Sequence, residues 1–284
     1  MSSTTIDELS ARYGSSYRWL VLVTGMIGNM ALIISSTIIN VAIPDIMGAF
    51  GIGQDKAQWL ATGFLTTMTL SMLLNTWMIG AIGRRATYLL AMAVFVAGSV
   101  LGGMSQTFDM LVFSRLLQGA GAGLIQPLTL QIIFEIFPVT HRGRAMGVFG
   151  FGVIMAPALG PAAGGILVDS FNWRAVFFMV LPFCALGSIM AMMFMPSRGR
   201  RDVRTSFDWT GLVLMALFLA SLLTGLSNGM REGWGSDVIL GRFAVAILAI
   251  VGFVIWESRC KQPLLNLGLF GYGRSLDGFD DVTL

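Results

Sequence analysis

The chain has 284 residues, of which only 12% are charged and 55% are hydrophobic. Soluble domains carry roughly 25% charged residues, so this sequence has too little polar surface to cover a soluble particle. The formal net charge is +3, which is too small for a surface that binds the phosphates of a nucleic acid. The composition therefore excludes an ordinary soluble protein and a nucleic-acid partner, and it predicts an integral membrane protein in a lipid bilayer.

Eight apolar runs reach the length of about 20 residues that a helix needs to cross a bilayer. The predicted spans are 19–43, 59–79, 86–104, 110–134, 146–168, 175–195, 209–226 and 239–256. The first run is too long for the apolar region of a signal peptide, so we expect it to be retained as a helix. The connecting loops are short, and the sequence predicts an all-α, polytopic membrane helical bundle without a sizeable soluble domain.

The basic residues lie mainly on one side of these spans. If the N-terminus is cytoplasmic, the inner segments contain thirteen of the 18 basic residues: Arg12, Arg18, Arg84, Arg85, Arg142, Arg144, Arg198, Arg200, Arg201, Arg204, Arg259, Lys261 and Arg274. The outer segments contain Lys56, Arg174, Arg231 and Arg242. Because positive residues favour cytoplasmic loops, this distribution predicts a cytoplasmic N-terminus.

Residues that perform catalysis or hold metals are scarce in the sequence. Cys184 lies within the sixth span and Cys260 follows the eighth, so the cysteine positions do not indicate a disulfide. His141 is the only histidine, and no cluster has the spacing of metal ligands or of a catalytic triad. We therefore expect neither an enzyme nor a metal site, and no cofactor.

Small residues and prolines alternate along the fifth span. Gly152, Ala156, Gly160 and Gly164 recur every four residues and share one helix face, which lets a neighbouring backbone approach closely. Pro157 and Pro161 are interleaved at the same interval and each removes a backbone donor. The pattern predicts a kinked, tightly packed helix; simple packing and a helix that flexes or seals are both open interpretations.

Arg115 lies within the fourth span. Gly119, Gly123 and Pro127 share its face at four-residue spacing, and Gln118 and Gln126 flank it. An arginine facing lipid costs several kcal/mol, so this side chain is expected to face the bundle interior or a polar cavity. The alternative is that it snorkels to the membrane surface, although the neighbouring glycines and glutamines favour the interior.

The first span is rich in polar groups, which we expect to line the same interior if the first and fourth helices pack together. They are Asn29, Ser35, Ser36, Thr37 and Asn40, and the span ends at Pro44 and Asp45. The alternative is that these side chains only form hydrogen bonds between helices, worth about 1 kcal/mol each.

Several of these motifs together resemble a known family. Residues 115–127 (RLLQGAGAGLIQP) look like the fourth-helix motif of the major facilitator superfamily, and 152–165 (GVIMAPALGPAAGG) look like the fifth-helix antiporter motif of its drug exporters. The segments TIINVAIPDI, FPVTHRGRAMG and NWRAVFF, together with the two extra spans before KQPLLNLGLF, resemble the fourteen-helix EmrB/QacA type of exporter. Their order and spacing are more specific than any single motif.

The resemblance implies a domain organisation in which this chain supplies the N-terminal half of a major facilitator fold. The expected parts are a cytoplasmic N-terminal segment (1–18), a six-helix transporter half (19–196), a basic cytoplasmic loop (197–208), two linker helices (209–256) and a cytoplasmic tail (257–284). The polar end of the tail cannot span a membrane, so it looks truncated relative to the family.

The chain departs from the family pattern at two sites. The loop between the second and third helices lacks the usual Asp and Arg, so only Gly83, Arg84 and Arg85 carry over, together with Arg142 in the later cytoplasmic loop. The first helix has Ser35 where the family often has an Asp. A proton carrier needs an ionisable group, so proton coupling cannot be assigned to Ser35.

The resemblance implies proton-coupled export of small amphipathic drugs or metabolites through the inner (cytoplasmic) membrane by alternating access. Arg115, Gln118, Asn40 and Asp45 are the candidate transport and coupling residues. The candidate packing and gating residues are Gly119, Gly123, Pro127, Gly152, Pro157, Gly160, Pro161, Gly164 and Gly165. In a Gram-negative cell, a periplasmic adaptor and an outer-membrane channel would be partners. The alternative is a transport-incompetent membrane module that needs a second half or partner chain.

Overall fold

The computed structural model describes residues 6–197 and 208–260, in which all regular secondary structure is helical. The predicted basic loop lies outside the described residues at 198–207, and the predicted tail lies outside them from residue 261 onward. The described residues form two compact units, 6–197 and 208–260.

The described part of the first unit has nine α-helices and a 3-10 turn at Gly14–Ser16, and that of the second unit has two α-helices. The first unit contains α1 (Ile6–Tyr13), α2 (Tyr17–Phe50), α3 (Gln54–Ala57), α4 (Trp59–Ile82), α5 (Arg84–Gly103), α6 (Phe108–Ile136), α7 (Val139–Ser170), α8 (Ala175–Phe178) and α9 (Leu181–Phe194). The second unit contains α10 (Trp209–Glu232) and α11 (Asp237–Glu257). Eight helical segments in these residues are long and apolar enough to cross a membrane, which confirms the predicted all-α bundle and its number of spans.

The first membrane helix is longer than its apolar run. The predicted span ends at residue 43, before Pro44, whereas α2 continues to Phe50. A proline inside a helix removes one backbone donor, here toward the carbonyl of Asn40, and the following turn can still form. The helix ends at Gly51, whose left-handed φ of 59° is accessible to glycine without a steric penalty.

The predicted sixth span over 175–195 corresponds to the membrane-length segment Ala175–Phe194, which a short turn divides into two helices. The α8 helix ends at Phe178 and α9 begins at Leu181. Pro182 lies in the first turn of α9, where its missing N–H is tolerated. In a continuous helix, Pro182 would leave the carbonyl of Phe178 without its backbone donor.

The α6 helix lies at the centre of the first unit and packs against α2, α4 and α5. The α2 helix in turn packs against α7 and α9. Thr107 starts α6 by accepting a hydrogen bond from the backbone N–H of Met110, which satisfies one of the free donors of the first turn. Because α6 has neighbours on several sides, its side chains can meet groups from three other helices.

The second unit is a pair of packed helices, α10 and α11. Asp208 caps α10 by accepting from the N–H of Gly211, and the same carboxylate accepts from the indole N–H of Trp256 at 2.9 Å. Near the connection between the helices, the rings of Trp234 and Phe243 stack 6.5 Å apart. These contacts hold α10 and α11 together at both ends.

Candidate functional site

Arg115 lies inside the first unit, with 1% of its surface exposed. Its Nε donates to the carbonyl oxygen of Leu60 at 3.0 Å. Its Nη1 donates to Gln118 Oε1 at 2.7 Å and to Ser35 Oγ at 3.2 Å. These partners lie on α4, α6 and α2, so the snorkelling alternative is wrong and the guanidinium joins three helices.

Two further contacts extend this group, which we call the Arg115 cluster (Ser35, Leu60, Phe64, Ser99, Arg115 and Gln118). Gln118 Nε2 donates to Ser99 Oγ on α5 at 2.8 Å. The Phe64 ring of α4 lies over the guanidinium, with the ring centroid 4.3 Å from its central carbon. The cluster therefore connects α2, α4, α5 and α6 through one buried cation.

The charge of Arg115 is held by neutral groups. Its hydrogen bonds go to carbonyl, hydroxyl and amide oxygens, and its buried Nη2 has no hydrogen-bond partner among the described residues. A buried charge without a countercharge is costly, so such residues mark functional sites in membrane proteins more often than they serve stability.

The polar residues of the first membrane helix divide between two environments. Asn29 is buried and donates to Thr129 Oγ1 of α6 at 3.0 Å, and Ser35 joins the Arg115 cluster. Asn40 and Asp45 are exposed on α2, so Asn40 does not join the Arg115 cluster. Asn40 follows Ser35 by five residues, which rotates it by about 140° around the helix.

Glycines of α6 bring α4 into close contact. A Cβ at Gly119 would overlap the carbonyl oxygen of Phe64, and one at Gly123 would overlap the carbonyl oxygen of Met68. Pro127, on the same predicted face, is partly buried within α6, which continues past it to Ile136. Close backbone approach at Gly119 and Gly123 places Leu60 and Phe64 within reach of Arg115.

A second glycine contact, between α5 and α6, was not singled out from the sequence. A Cβ at Gly98 of α5 would lie 2.8 Å from the carbonyl oxygen of Ser114, and one at Gly121 would lie 2.5 Å from that of Ala91. Gly121 is two residues from both Gly119 and Gly123, which puts it on the opposite side of the helix. Alternating glycines were the signal that α6 is packed closely on two sides.

The small-residue ladder of α7 faces α2. Gly152, Ala156, Gly160 and Gly164 are all buried, and a Cβ at Gly164 would lie 2.7 Å from Ile38 Cγ1. Gly165 does not share this contact with α2, because a Cβ there would have no atom within 4 Å among the described residues. Pro157 and Pro161 are exposed, each about 100° around α7 from the ladder residue that precedes it.

The loop between α4 and α5 is held by an ion pair. Gly83 has a φ of 84° and forms the turn between these helices. Arg84 Nη2 lies 2.7 Å from Glu135 Oε2 near the end of α6, and the two side chains are 7% and 26% exposed. Glu135 was not singled out from the sequence, because nothing in its local pattern distinguishes it from a solvated acidic residue.

Two other arginines of the predicted cytoplasmic loops bind helix ends. Arg85 Nε donates to the carbonyl oxygen of Met195, just after α9, at 2.7 Å. Arg142 Nη2 donates to the carbonyl oxygen of Phe134 at 2.8 Å, and its Nε donates to that of Phe137 at 3.2 Å. The last carbonyls of a helix lack partners within it, and a cation there stabilises the helix end.

The sequence was compared with models of known protein families. The family model of the major facilitator superfamily matches residues 25–273, which is most of the chain and includes the Arg115 cluster. The chain belongs to the major facilitator superfamily. Solved superfamily structures share its fold: a peptide transporter POT bound to sulfate (TM-score 0.62, 13% identity, 87% of this chain and 53% of that one), and the proton:xylose symporter XylE (TM-score 0.58, 15% identity, 84% and 55%).

Curated superfamily members are similar to this chain over about half of their own length. The multidrug transporter protein MdtP of Bacillus subtilis is 35% identical over 92% of this chain and 48% of its own. The multidrug export protein EmrB of Escherichia coli K12 is 31% identical (84% and 47%). The lincomycin resistance protein LmrB of Listeria monocytogenes is 30% identical (88% and 52%). These similarities confirm the predicted resemblance to EmrB-type multidrug transporters.

Proposed function

We propose that this superfamily member forms the N-terminal half and two linker helices of an exporter of amphipathic drugs or metabolites, driven by protons through alternating access. The observation that carries the proposal is the buried cation of Arg115 held by neutral groups from α2, α4 and α6. The similarity to the multidrug export protein EmrB supports the direction of transport. The similarities to EmrB, to the multidrug transporter MdtP and to the lincomycin resistance protein LmrB support the substrate class.

The proposed roles follow from position. Arg115 and Gln118 set the local electrostatics of the transport path, because Gln118 orients one edge of the guanidinium. Asn40 and Asp45, exposed on α2, contact substrate or protons outside the first unit's core. Gly119, Gly123 and the α7 ladder allow close packing, and the prolines allow bending.

The proposed location is the cytoplasmic membrane with the N-terminus inside. The distribution of arginines and lysines between the predicted loops supports this orientation. Gly83, Arg84, Arg85 and Arg142 then lie at the cytoplasmic ends of the helices. In a Gram-negative cell, a periplasmic adaptor and an outer-membrane channel would complete the export route.

A flux assay tests the role of Arg115. The chain is reconstituted in proteoliposomes, and efflux of an amphipathic dye is recorded with and without an imposed pH gradient. We expect gradient-dependent efflux in the parent, a loss of about tenfold or more in Arg115→Ala, and little change in the control Arg174→Gln. Equal efflux in Arg115→Ala and the parent would remove Arg115 from the mechanism.

The alternative is a membrane module that transports nothing by itself and needs a second chain. The observation that favours this alternative is the length of the chain, which spans about half the length of the curated relatives it matches. Proteoliposomes that contain a folded, helical chain but show no flux would favour the module. Flux that appears only when a second six-helix chain is co-reconstituted would identify its partner.

A further inference from the structure

The Arg115 guanidinium has hydrogen-bond donors that no described residue uses. Its Nε and Nη1 are used by Leu60, Ser35 and Gln118, but its Nη2, with two N–H groups, is buried and has no hydrogen-bond partner among the described residues. Leaving a buried donor without an acceptor destabilises a protein, and the cost is larger for a charged group. The site is therefore built to favour a further acceptor at Nη2.

Charge balance identifies the kind of acceptor. The oxygens that bind Arg115 belong to neutral groups, so none of them compensates its positive charge. Glu135, near the far end of α6, is paired with Arg84 at 2.7 Å. A cation in a water-poor interior is stabilised most by an anion, because the low dielectric strengthens their attraction.

The geometry limits where an anion can bind. The Phe64 ring lies over the guanidinium plane with its centroid 4.3 Å from the central carbon, so it covers one face of the cation. The N–H groups of Nη2 lie in the guanidinium plane, at its edge. An acceptor that approaches in this plane forms charge-assisted hydrogen bonds, the strongest class in proteins.

We propose that Arg115 binds a singly charged anionic group through Nη2, either the carboxylate of an amphipathic transported compound or an inorganic halide. Arg115 is enclosed here, with 1% of its surface exposed, so an anion reaches Nη2 only when the helices around it separate. This inference rests on the proposed function and adds to it an anionic substrate class.

Equilibrium dialysis tests this site without relying on transport. The purified chain, in uncharged detergent and a low-salt zwitterionic buffer, is dialysed against radiolabelled octanoate, against radiolabelled chloride, and against octanol as a neutral probe of the same chain length. Empty micelles give the background. Arg174→Gln is the matched control, because Arg174 also lies against a ring, that of Trp173 at 4.3 Å, and donates to a carbonyl.

Two substitutions change the site in opposite ways. Arg115→Gln removes the cation, and we expect it to weaken anion binding by about tenfold or more. Ser35→Asp adds a carboxylate where Ser35 Oγ already lies 3.2 Å from Nη1, and this internal anion should exclude the external one to a similar degree. We expect Arg174→Gln to bind like the parent, and octanol binding to be the same in all four proteins.

The two probes separate the sources of the anion. Octanoate binding that depends on Arg115, with no chloride binding, identifies a substrate carboxylate; chloride binding that depends on Arg115, with no octanoate binding, identifies a halide. Anion binding that is undetectable in the parent, or unchanged in both Arg115→Gln and Ser35→Asp, overturns the proposal. If Arg115→Gln loses its helical circular dichroism, Ser35→Asp, which keeps the arginine, still decides the question.

This experiment distinguishes the anion site from the exporter. Dialysis measures binding to the purified chain at equilibrium, whereas the proteoliposome assay measures flux. A chain that binds octanoate through Arg115 but moves no dye keeps the site and rejects export by this chain alone. A chain that moves dye but shows no Arg115-dependent anion binding keeps the exporter and rejects the site.

Discussion

The contact between α4 and α6 requires a glycine at position 123, and Gly123→Ala tests this requirement. A Cβ there would overlap the carbonyl oxygen of Met68 and would lie 2.9 Å from Ser71 Cβ. The Met68 atom belongs to the backbone and cannot rotate away, so the two helices must separate. Added methyl groups in a tightly packed interior cost about 1–3 kcal/mol.

Gly165→Ala is the matched control for this substitution. Both glycines lie inside helices, so both variants gain about 0.8–1.0 kcal/mol of helix propensity. At Gly165, an added Cβ has no atom within 4 Å. The difference between the two variants therefore isolates the steric cost, and we expect Gly123→Ala to be less stable than Gly165→Ala by about 1–3 kcal/mol.

The free energy of unfolding can be measured for both variants by titrating the purified chain in mild detergent with sodium dodecyl sulfate and following helical circular dichroism. Gly165→Ala should unfold at the same or a higher detergent fraction than the parent, and Gly123→Ala at a lower one. Equal unfolding free energies for the two variants would refute the close backbone contact between α4 and α6.

Three further predictions use the same purified chain or its membranes. Arg84→Gln leaves the Glu135 carboxylate, which solvent can reach, without the arginine, and we expect the free energy of unfolding to fall by about 1–3 kcal/mol. Adding Glu135→Gln should restore part of this stability, and no recovery in the double variant would contradict the ion pair. Trp256→Phe removes the donor to Asp208 and should destabilise the second unit by about 1.5–3 kcal/mol; an unchanged unfolding curve would argue against that bond. Cys260 should react with a membrane-impermeant maleimide in inside-out vesicles only, and labelling in right-side-out vesicles would reverse the proposed orientation.

The burial of Arg115 could be predicted because an arginine beside glycines and glutamines in an apolar run has a strong physical reason to avoid lipid. Three other members of the Arg115 cluster could not be predicted. Leu60 contributes a backbone carbonyl, which carries no residue-type signal, and Phe64 and Ser99 are common residues in spans. Which residues join the Arg115 cluster depends on how the helices are aligned with one another. That alignment is set by glycine contacts between residues that are far apart in the sequence.

Other details depend on helix rotation and on breaks in the backbone, which residue types alone do not specify. Polar residues of the first span were treated as one group, but the rotation between Ser35 and Asn40 separates a buried side chain from an exposed one. Gly165 was grouped with the ladder because it follows Gly164, although adjacent helical residues are about 100° apart. The break before α9 had a visible signal in Pro182, which hydropathy alone does not register.

The glycines of α6 also affect how the protein can mutate. Gly119 and Gly123 face carbonyl oxygens of α4, and Gly121 faces one of α5. Glycine is the smallest residue, so every amino-acid substitution at these three positions adds volume to an interface that has no free space for it. The part of α6 that holds Arg115 in place should therefore be among the most mutation-intolerant segments of the chain, independent of any residue that contacts a substrate.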